Sequence, residues 1–443
     1  NISRWLYSRA MFPLAEFLKN ISVENYVSND LGKVRQIIFD AIVHYRKVKN
    51  RGVVAVFQRD RFDQYSNFAR IGEGSLGGKG RGLAFIDAMI KRNESFESFG
   101  QTQITIPKTV VLCTDNFTEF MEQNNLYPVA LSEISDDEIL QHFLKAHLPK
   151  RLIADLHTFV GAIGSPIAVR SSSLLEDSHY QPFAGIYSTY MVPYNPESRT
   201  QMLVMITEAI KAVYASVFYH DSKAYMTATK NVIDEEKMAI VLQEICGNAY
   251  GERYYPSFSG VARTLNYYPI GAEQPEEGIV NVALGLGKYI MDGGQSLRFS
   301  PAYPNNVLQT STLELALKET QTYFNALDTC KTCFVPKVDD GFNLLKIPVQ
   351  DAMRDGTLRY LASTFDVQNE TIQDGLYEGR KLITFANILK HDVFPLADIL
   401  KEIMRIAQEE MGRPVELEFA VNLDYSAKKQ HTFYLLQIRP IVD

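Results

Sequence analysis

The segment Val415-Glu416-Leu417-Glu418-Phe419 sets two carboxylates two residues apart. In a strand that spacing puts both on one face and turns Val415, Leu417 and Phe419 to the other. Two such charges repel unless a cation or a basic group lies between them. The later segment Leu436-Gln437-Ile438-Arg439 has the same alternation, with Gln437 and Arg439 on one face. Paired as a hairpin, the two segments would bring two carboxylates, an amide oxygen and a guanidinium onto one surface. Hard oxygen ligands of this kind suit Mg²⁺ held together with substrate phosphates. A salt-bridged, exposed sheet face is the other reading of the same residues.

Two further stretches have the makings of an anion site. Ile167-Ala168-Val169 is a strand-like run that ends in Arg170, and Ser171-Ser172-Ser173-Leu174-Leu175 follows. A guanidinium is a planar, permanently charged fork suited to phosphate oxygens, and hydroxyls add hydrogen bonds without adding negative charge. The sequence predicts a strand ending at Arg170 and a serine-rich turn anchored by the two leucines. The second stretch is Gly72-x-Gly74-x-x-Gly77, a dinucleotide fingerprint by letter. The polar segment before it gives no sign of a strand, which argues against a nicotinamide-dependent oxidoreductase. It is not a Walker A loop either, because Gly80 follows Lys79 where Ser or Thr belongs. What remains is a pliant backbone with Lys79 at its centre and a helix just after, either a phosphate cradle or a surface turn.

The elements that must position these groups are read from apolar periodicity. Residues 1 to about 66 carry helical spacing at Trp5, Leu6, Met11, Leu14, Phe17 and Leu18, and again at Val34, Ile37, Ile38, Ile42 and Val43. Helices are predicted after Gly80, from Asp115, over 152–163 with a stop at Gly164 and Pro166, over 310–327 and over 393–411. Buried strands are predicted at 109–114, 238–245 and 278–287, with the closing hairpin last. The mixture predicts an α+β or α/β architecture.

With 443 residues the chain has room for two to three domains and large cores. A net charge of −7 argues against a general nucleic-acid binder, so any anion site has to be built locally. No apolar run approaches the roughly 18 residues of a membrane helix. Cys330 and Cys333 form a CxxC without a second pair or a nearby His, so a reduced, near-surface pair and a cytoplasmic setting are expected.

Taken in order, "GGKG", "IAVRSSSLLEDS" with "FAG", "SGVA", "GLG", "GRPVELEF" and "QIRP" resemble the ATP-binding N-terminal domain of phosphoenolpyruvate synthase and pyruvate phosphate dikinase. The resemblance covers Gly72 to Pro440. It implies an ATP-grasp fold of two main lobes with the nucleotide cleft between them. A helical N-terminal extension or connector over 1–70, a first lobe over 71–237 and a second over 238–443 are then expected. Lys79 and Arg170 match the basic residues on the triphosphate, Glu416 and Glu418 the acidic pair that holds Mg²⁺ and ATP. Gln437 and Arg439 match the motif that contacts the phosphates and the transferring group. Gln243, Glu244 and Ile245 fall where the interlobe hinge borders adenine. Catalytic roles are expected of Arg439, Lys79 and Arg170.

In that family ATP phosphorylates a histidine on a separate mobile domain, and the group later reaches pyruvate on a barrel-shaped one. None of the eight histidines here sits in the Thr-Cys-His type of context that marks the acceptor. The histidine and pyruvate domains are therefore expected in the parent protein or a partner, with no nucleic acid or membrane involved. Lys288 follows "GLG" where the synthases usually carry a glutamate, which keeps open a module that senses ATP and transfers nothing. A final acceptor other than pyruvate, such as a glucan or an antibiotic, also stays open.

Overall fold

The computed structural model describes residues 55–59, 67–173, 185–229, 236–330, 334–426 and 430–441, with scattered positions between Ala15 and Ile42. The scattered positions are helical, but β1 at Ala55–Val56 is a strand where helix was expected over 1–66, and apart from 57–59 the other residues of that region lie outside the described ones. Among the described residues, four sheets and the helices that cover them give a mixed α/β architecture.

The first large sheet contains β1 (Ala55–Val56), β2 (Phe68–Ile71), β4 (Thr109–Leu112), β5 (Ile167–Ser173), β6 (Thr189–Val192) and β7 (Met238–Glu244), in the order β1-β2-β4-β7-β5-β6. The second contains β3 (Thr102–Thr105), β10 (Phe258–Arg263), β11 (Ile279–Leu284), β12 (Leu297–Phe299), β18 (Val415–Asn422) and β19 (His431–Pro440), in the order β12-β11-β10-β18-β19-β3. Two small sheets flank them. One is built from β8 (Asn248–Tyr250), β9 (Arg253–Tyr255), β13 (Tyr323–Asp328) and β14 (Leu344–Pro348), the other from β15 (Ala362–Asp366), β16 (Thr371–Asp374) and β17 (Arg380–Ile383).

Strand alternation divides the core. In the first sheet Val110, Leu112, Ile167, Val169, Ile240 and Leu242 face one apolar cluster. That face is covered by α2 (Thr114–Gln123), α3 (Asp136–Lys145), α4 (Lys150–Val160) and α5 (Arg199–Ser216). The opposite face, with Val111, Ala168, Ala239 and Val241, joins a second cluster. This cluster takes in Leu83, Ile86 and Met89 of α1 (Gly77–Arg92) and the apolar stripe Ile399, Ile403 and Ile406 of α6 (Leu396–Met411). The chain passes between the large sheets three times, first through α1, which links β2 to β3. Residues 106–108 connect β3 to β4, and the segment after β7 leaves beside them, with the Glu244 amide donating to Lys108 O at 2.9 Å.

Several expectations change. A strand does precede the glycine loop: β2 is short and polar at its flank, but Phe68, Ala69 and Ile71 are buried. Over 310–327 the helix is Leu313–Glu319 alone, and β13 follows, where Phe324 and Ala326 alternate into the core. The helix over 152–163 ends at Val160, with Gly161 as its C-cap. The stretch Arg199–Ala228 is long and apolar enough, by composition, to cross a membrane; 72% of its apolar window is buried here, and it folds as α5 followed by a shorter helix, His220–Ala228. Cys330 is disulfide-bonded, where a reduced pair was expected; Cys333 lies outside the described residues.

Candidate functional site

Arg170 is where the two large sheets meet. Ile167 and Val169 point into the helix-covered core, so Ala168 and Arg170 point the other way. The guanidinium donates to Gln243 Oε1 at 3.1 Å on the neighbouring strand β7. It also donates to Leu436 O at 3.3 Å, to Gln437 Oε1 and to Glu418 Oε2 at 3.5 Å on the second sheet. A guanidinium has five N–H donors in a fixed fork, and here one fork serves acceptors from both sheets. The strand does not stop at Arg170. β5 continues through Ser173, all three serines are buried, and Leu174, Leu175 and Phe183 lie outside the described residues.

The serines hold the glycine loop in place. Ser172 Oγ accepts from the Gly80 amide at 3.0 Å and donates to Leu76 O at 2.8 Å, while Lys79 Nζ donates to Ser171 Oγ at 3.4 Å. A Cβ on Gly77, whose φ is +67°, would lie 1.7 Å from Ser172 O, so only glycine fits there. On its other side the loop is fastened to the start of α2. Asp115 accepts the Glu73 and Gly74 amides at 3.1 Å each, and Thr114 Oγ1 accepts the Ser75 amide at 3.0 Å. The negative charge in this cradle is the protein's own carboxylate. Of the glycine-rich stretch, Lys79 is the residue that reaches the cavity described next.

The closing segments pair as the alternation predicts. In the β18–β19 register Glu416 stands opposite Arg439 and Glu418 opposite Gln437, with a shift just after Glu418. On the other side of β18, Arg263 of β10 stands opposite Glu416 and Val261 opposite Glu418. Glu416 is held by both arginines: Arg263 Nε donates to Oε2 and Arg439 Nε to Oε1, each at 2.6 Å. Glu418 is more open, with its side chain 19% exposed against 6% for Glu416.

A cavity of about 320 Å³ lies where these elements converge. Eight of the nine residues singled out in the sequence line it: Lys79, Arg170, Gln243, Glu244, Ile245, Glu418, Gln437 and Arg439. Glu416, behind its two arginines, is absent from that lining. The cavity also receives Lys288 and Asp340, which carry further charge into it. Lys288 Nζ lies 3.2 Å from Asp292 Oδ1. Burial holds the Asp340 carboxyl above its usual range, against the Thr189 amide and the Lys288 ammonium, which pull it down. Burial likewise raises Glu244, opposed by the Gly164 amide and Lys108, and pushes the Cys246 thiol well up. Among the described residues no three His, Cys, Asp or Glu side chains group as metal ligands. A cation placed at Glu418 would have to complete its shell with water or ligand oxygens, as Mg²⁺ commonly does on phosphates. Neither Arg263 nor Asp115 stands out in the sequence. Arg263 was readable as the residue two beyond Val261 on the same strand face; Asp115 is linked to the loop across 41 residues, which no local pattern reveals.

A cavity between two sheets, lined by four cationic side chains (Lys79, Arg170, Lys288 and Arg439), acidic oxygens and an apolar edge, is the layout of a nucleotide-binding domain. Residues 73–443 match the family "Pyruvate phosphate dikinase, AMP/ATP-binding domain", and the chain belongs to it. It is 23% identical over 338 residues to an uncharacterized phosphotransferase, YvkC, of Bacillus subtilis (strain 168), a match covering 76% of this chain and 31% of the relative. It is 23% identical over 324 residues to a phosphoenolpyruvate synthase of Aeropyrum pernix, covering 70% of this chain and 33% of the relative. The chain thus spans about a third of the length of the curated relatives it matches.

Proposed function

We propose that this chain is an ATP-grasp domain that binds Mg²⁺-ATP between its two large sheets and passes a phosphoryl group to a histidine on a separate domain. The observation that carries this is the convergence of Lys79, Arg170, Glu418, Gln437 and Arg439, from both sheets, on one cavity. In this reading each large sheet with its helices is a lobe, so β7 stays with the first lobe and β3 with the second. Gln243 to Ile245, at the crossing between lobes, border the adenine. The phosphates lie toward Lys79, Arg170 and Arg439.

Phosphoryl transfer depends on positioning and on neutralising charge more than on covalent help from the protein. Arg170 is pre-oriented by four acceptors, so its charge is fixed before a ligand arrives. Arg439, on the outer strand of the hairpin, is aimed by its bond to Glu416 and stabilises charge developing on the transferring group. Lys79, whose ammonium donates to Ser171 Oγ, supplies a third cation. Glu418, with the amide oxygen of Gln437 beside it, would hold Mg²⁺, and the bound ion would neutralise phosphate charge. Supplying a histidine-bearing acceptor domain, from the parent protein or a partner, and measuring Mg²⁺-dependent phosphohistidine formation from ATP tests this. Phosphohistidine appearing on the added domain supports it, and ATP binding without any transfer refutes the catalytic part.

A second reading, a module that senses nucleotide without transferring from it, rests on Lys288. This cation lines the cavity at a position where the resembling synthases usually carry glutamate. ATP binding with no transfer would favour it. The final acceptor, whether pyruvate, a glucan or an antibiotic, would be set by domains of the parent protein or a partner.

A further inference from the structure

The two carboxylates of β18 lie in unlike surroundings, and Arg263 makes the difference. The register sets Arg263, Glu416 and Arg439 side by side across three neighbouring strands. Each oxygen of Glu416 receives a guanidinium Nε at 2.6 Å, and the side chain is 6% exposed. One step along the strand, Glu418 is flanked by Val261 and Gln437, meets Arg170 at 3.5 Å and lines the cavity. The geometry points to a division of labour: Glu418 is the metal-facing carboxylate, while Glu416 is a positioning residue that orients Arg439, with Arg263 as its counter-cation.

A carboxylate with one guanidinium forms a neutral pair that draws the arginine toward it. A carboxylate shared by two leaves the triad one net positive charge. Arg263 occupies one oxygen, and Arg439 is held by the other. Arg439 is the member that lines the cavity, so the surplus charge is presented there. Taking Glu416 as a metal ligand would break both arginine bonds of a carboxylate that is itself buried, which is costly. This inference rests on the nucleotide site proposed above.

The test uses the 443-residue chain and two readouts that need no turnover. Mn²⁺, as a probe of the Mg²⁺ site, is titrated onto the ATP-saturated protein by electron paramagnetic resonance, and ATP affinity is measured by calorimetry. Glu418→Gln is expected to weaken Mn²⁺ binding on the order of 10-fold or more. Glu416→Gln should leave Mn²⁺ affinity within about twofold yet lower ATP affinity about 10-fold, the effect of losing a charged hydrogen bond. Arg263→Met should also weaken ATP, because Glu416 then turns wholly onto Arg439. The double variant Arg263→Met/Glu416→Gln should lose no more ATP affinity than Glu416→Gln alone, since the two act through one network. A purely structural role would instead move both affinities together with the melting temperature. If Arg263→Met melts, the near-isosteric Glu416→Gln decides alone. Glu416→Gln weakening Mn²⁺ as much as Glu418→Gln overturns the inference. So does an Arg263→Met protein with unchanged ATP affinity. Failure of the parent chain to bind ATP overturns the site itself, and this inference with it.

Discussion

The glycine loop Gly72–Gly77 and the β18–β19 hairpin both carry the letters of an anion site, yet they meet different fates in the fold. The loop sits on a strand–loop–helix junction, the usual place for a phosphate cradle. Its amides are nevertheless engaged within the protein, two of them by Asp115, and its Gly77 is pressed against Ser172. The hairpin has no glycine and no helix terminus. It instead presents Glu418, Gln437 and Arg439 to the cavity that Arg170 and Lys79 enter from the other side. The glycines here serve close packing of α1 against β5, and ligand chemistry is left to side chains held by sheet register. Glycine pattern reports where backbones approach each other; what the approach is for depends on the atoms across the gap.

This contrast predicts which substitutions touch function and which touch stability. The largest effect is expected at the hairpin. Arg439→Ala should slow phosphohistidine formation by about 10² to 10⁵, the range for losing an oxyanion donor or an arginine finger. ATP affinity should fall much less, because the contact strengthens in the transition state. A calorimetric loss that accounts for the whole rate defect would make Arg439 a binding residue only. The loop should behave in the opposite way. Asp115→Ala orphans the Glu73 and Gly74 amides and should cost about 1–3 kcal/mol in chemical denaturation. ATP affinity of the folded protein should stay close to that of the parent. A selective loss of ATP binding with unchanged stability would return the loop to the role of phosphate cradle.

Smaller effects sharpen the picture at the cavity's edges. Lys288 lies beside Asp292 and is a third exposed, so Lys288→Ala should weaken ATP about two- to fivefold, the scale of a solvent-screened charge. No change on titration would exclude Lys288 from the nucleotide site. The smallest effect concerns Glu244. Its folded carboxyl holds its proton to higher pH than the unfolded chain does, whose ordinary value is 4.5. Burial of this group therefore costs stability above that value and nothing below it. Glu244→Gln keeps an oxygen for the Gly164 amide and should raise the melting temperature at pH 7, with the gain vanishing as pH falls below 4.5. An equal gain at pH 3 would point to a cause other than ionisation.

Much of the site was legible because its residues lie on strands, where a period of two fixes the face. Glu418, Gln437 and Arg439 were placed by that rule, and the hairpin register puts them together. The apolar run Ile167-Ala168-Val169 reads as a strand ending at Arg170, though it does not reveal that the strand runs on through three buried serines. Short strands were harder. β2 has four residues with a polar lead, and its assignment depends on pairing with β1 and β4, distant in sequence. β13 was hidden inside a helical pattern for the same reason: its partners β9 and β14 lie outside the local window. The asymmetry of Glu416 and Glu418 was invisible as well, since it comes from Arg263 on a third strand more than 150 residues away.

The most direct test of the central claim is a calorimetric titration of ATP into the 443-residue chain, with and without Mg²⁺, repeated on Glu418→Ala. Binding that requires or is markedly tightened by Mg²⁺, and that loses this dependence in Glu418→Ala, is the predicted result. No binding of ATP, or binding indifferent both to Mg²⁺ and to the substitution, would contradict the account.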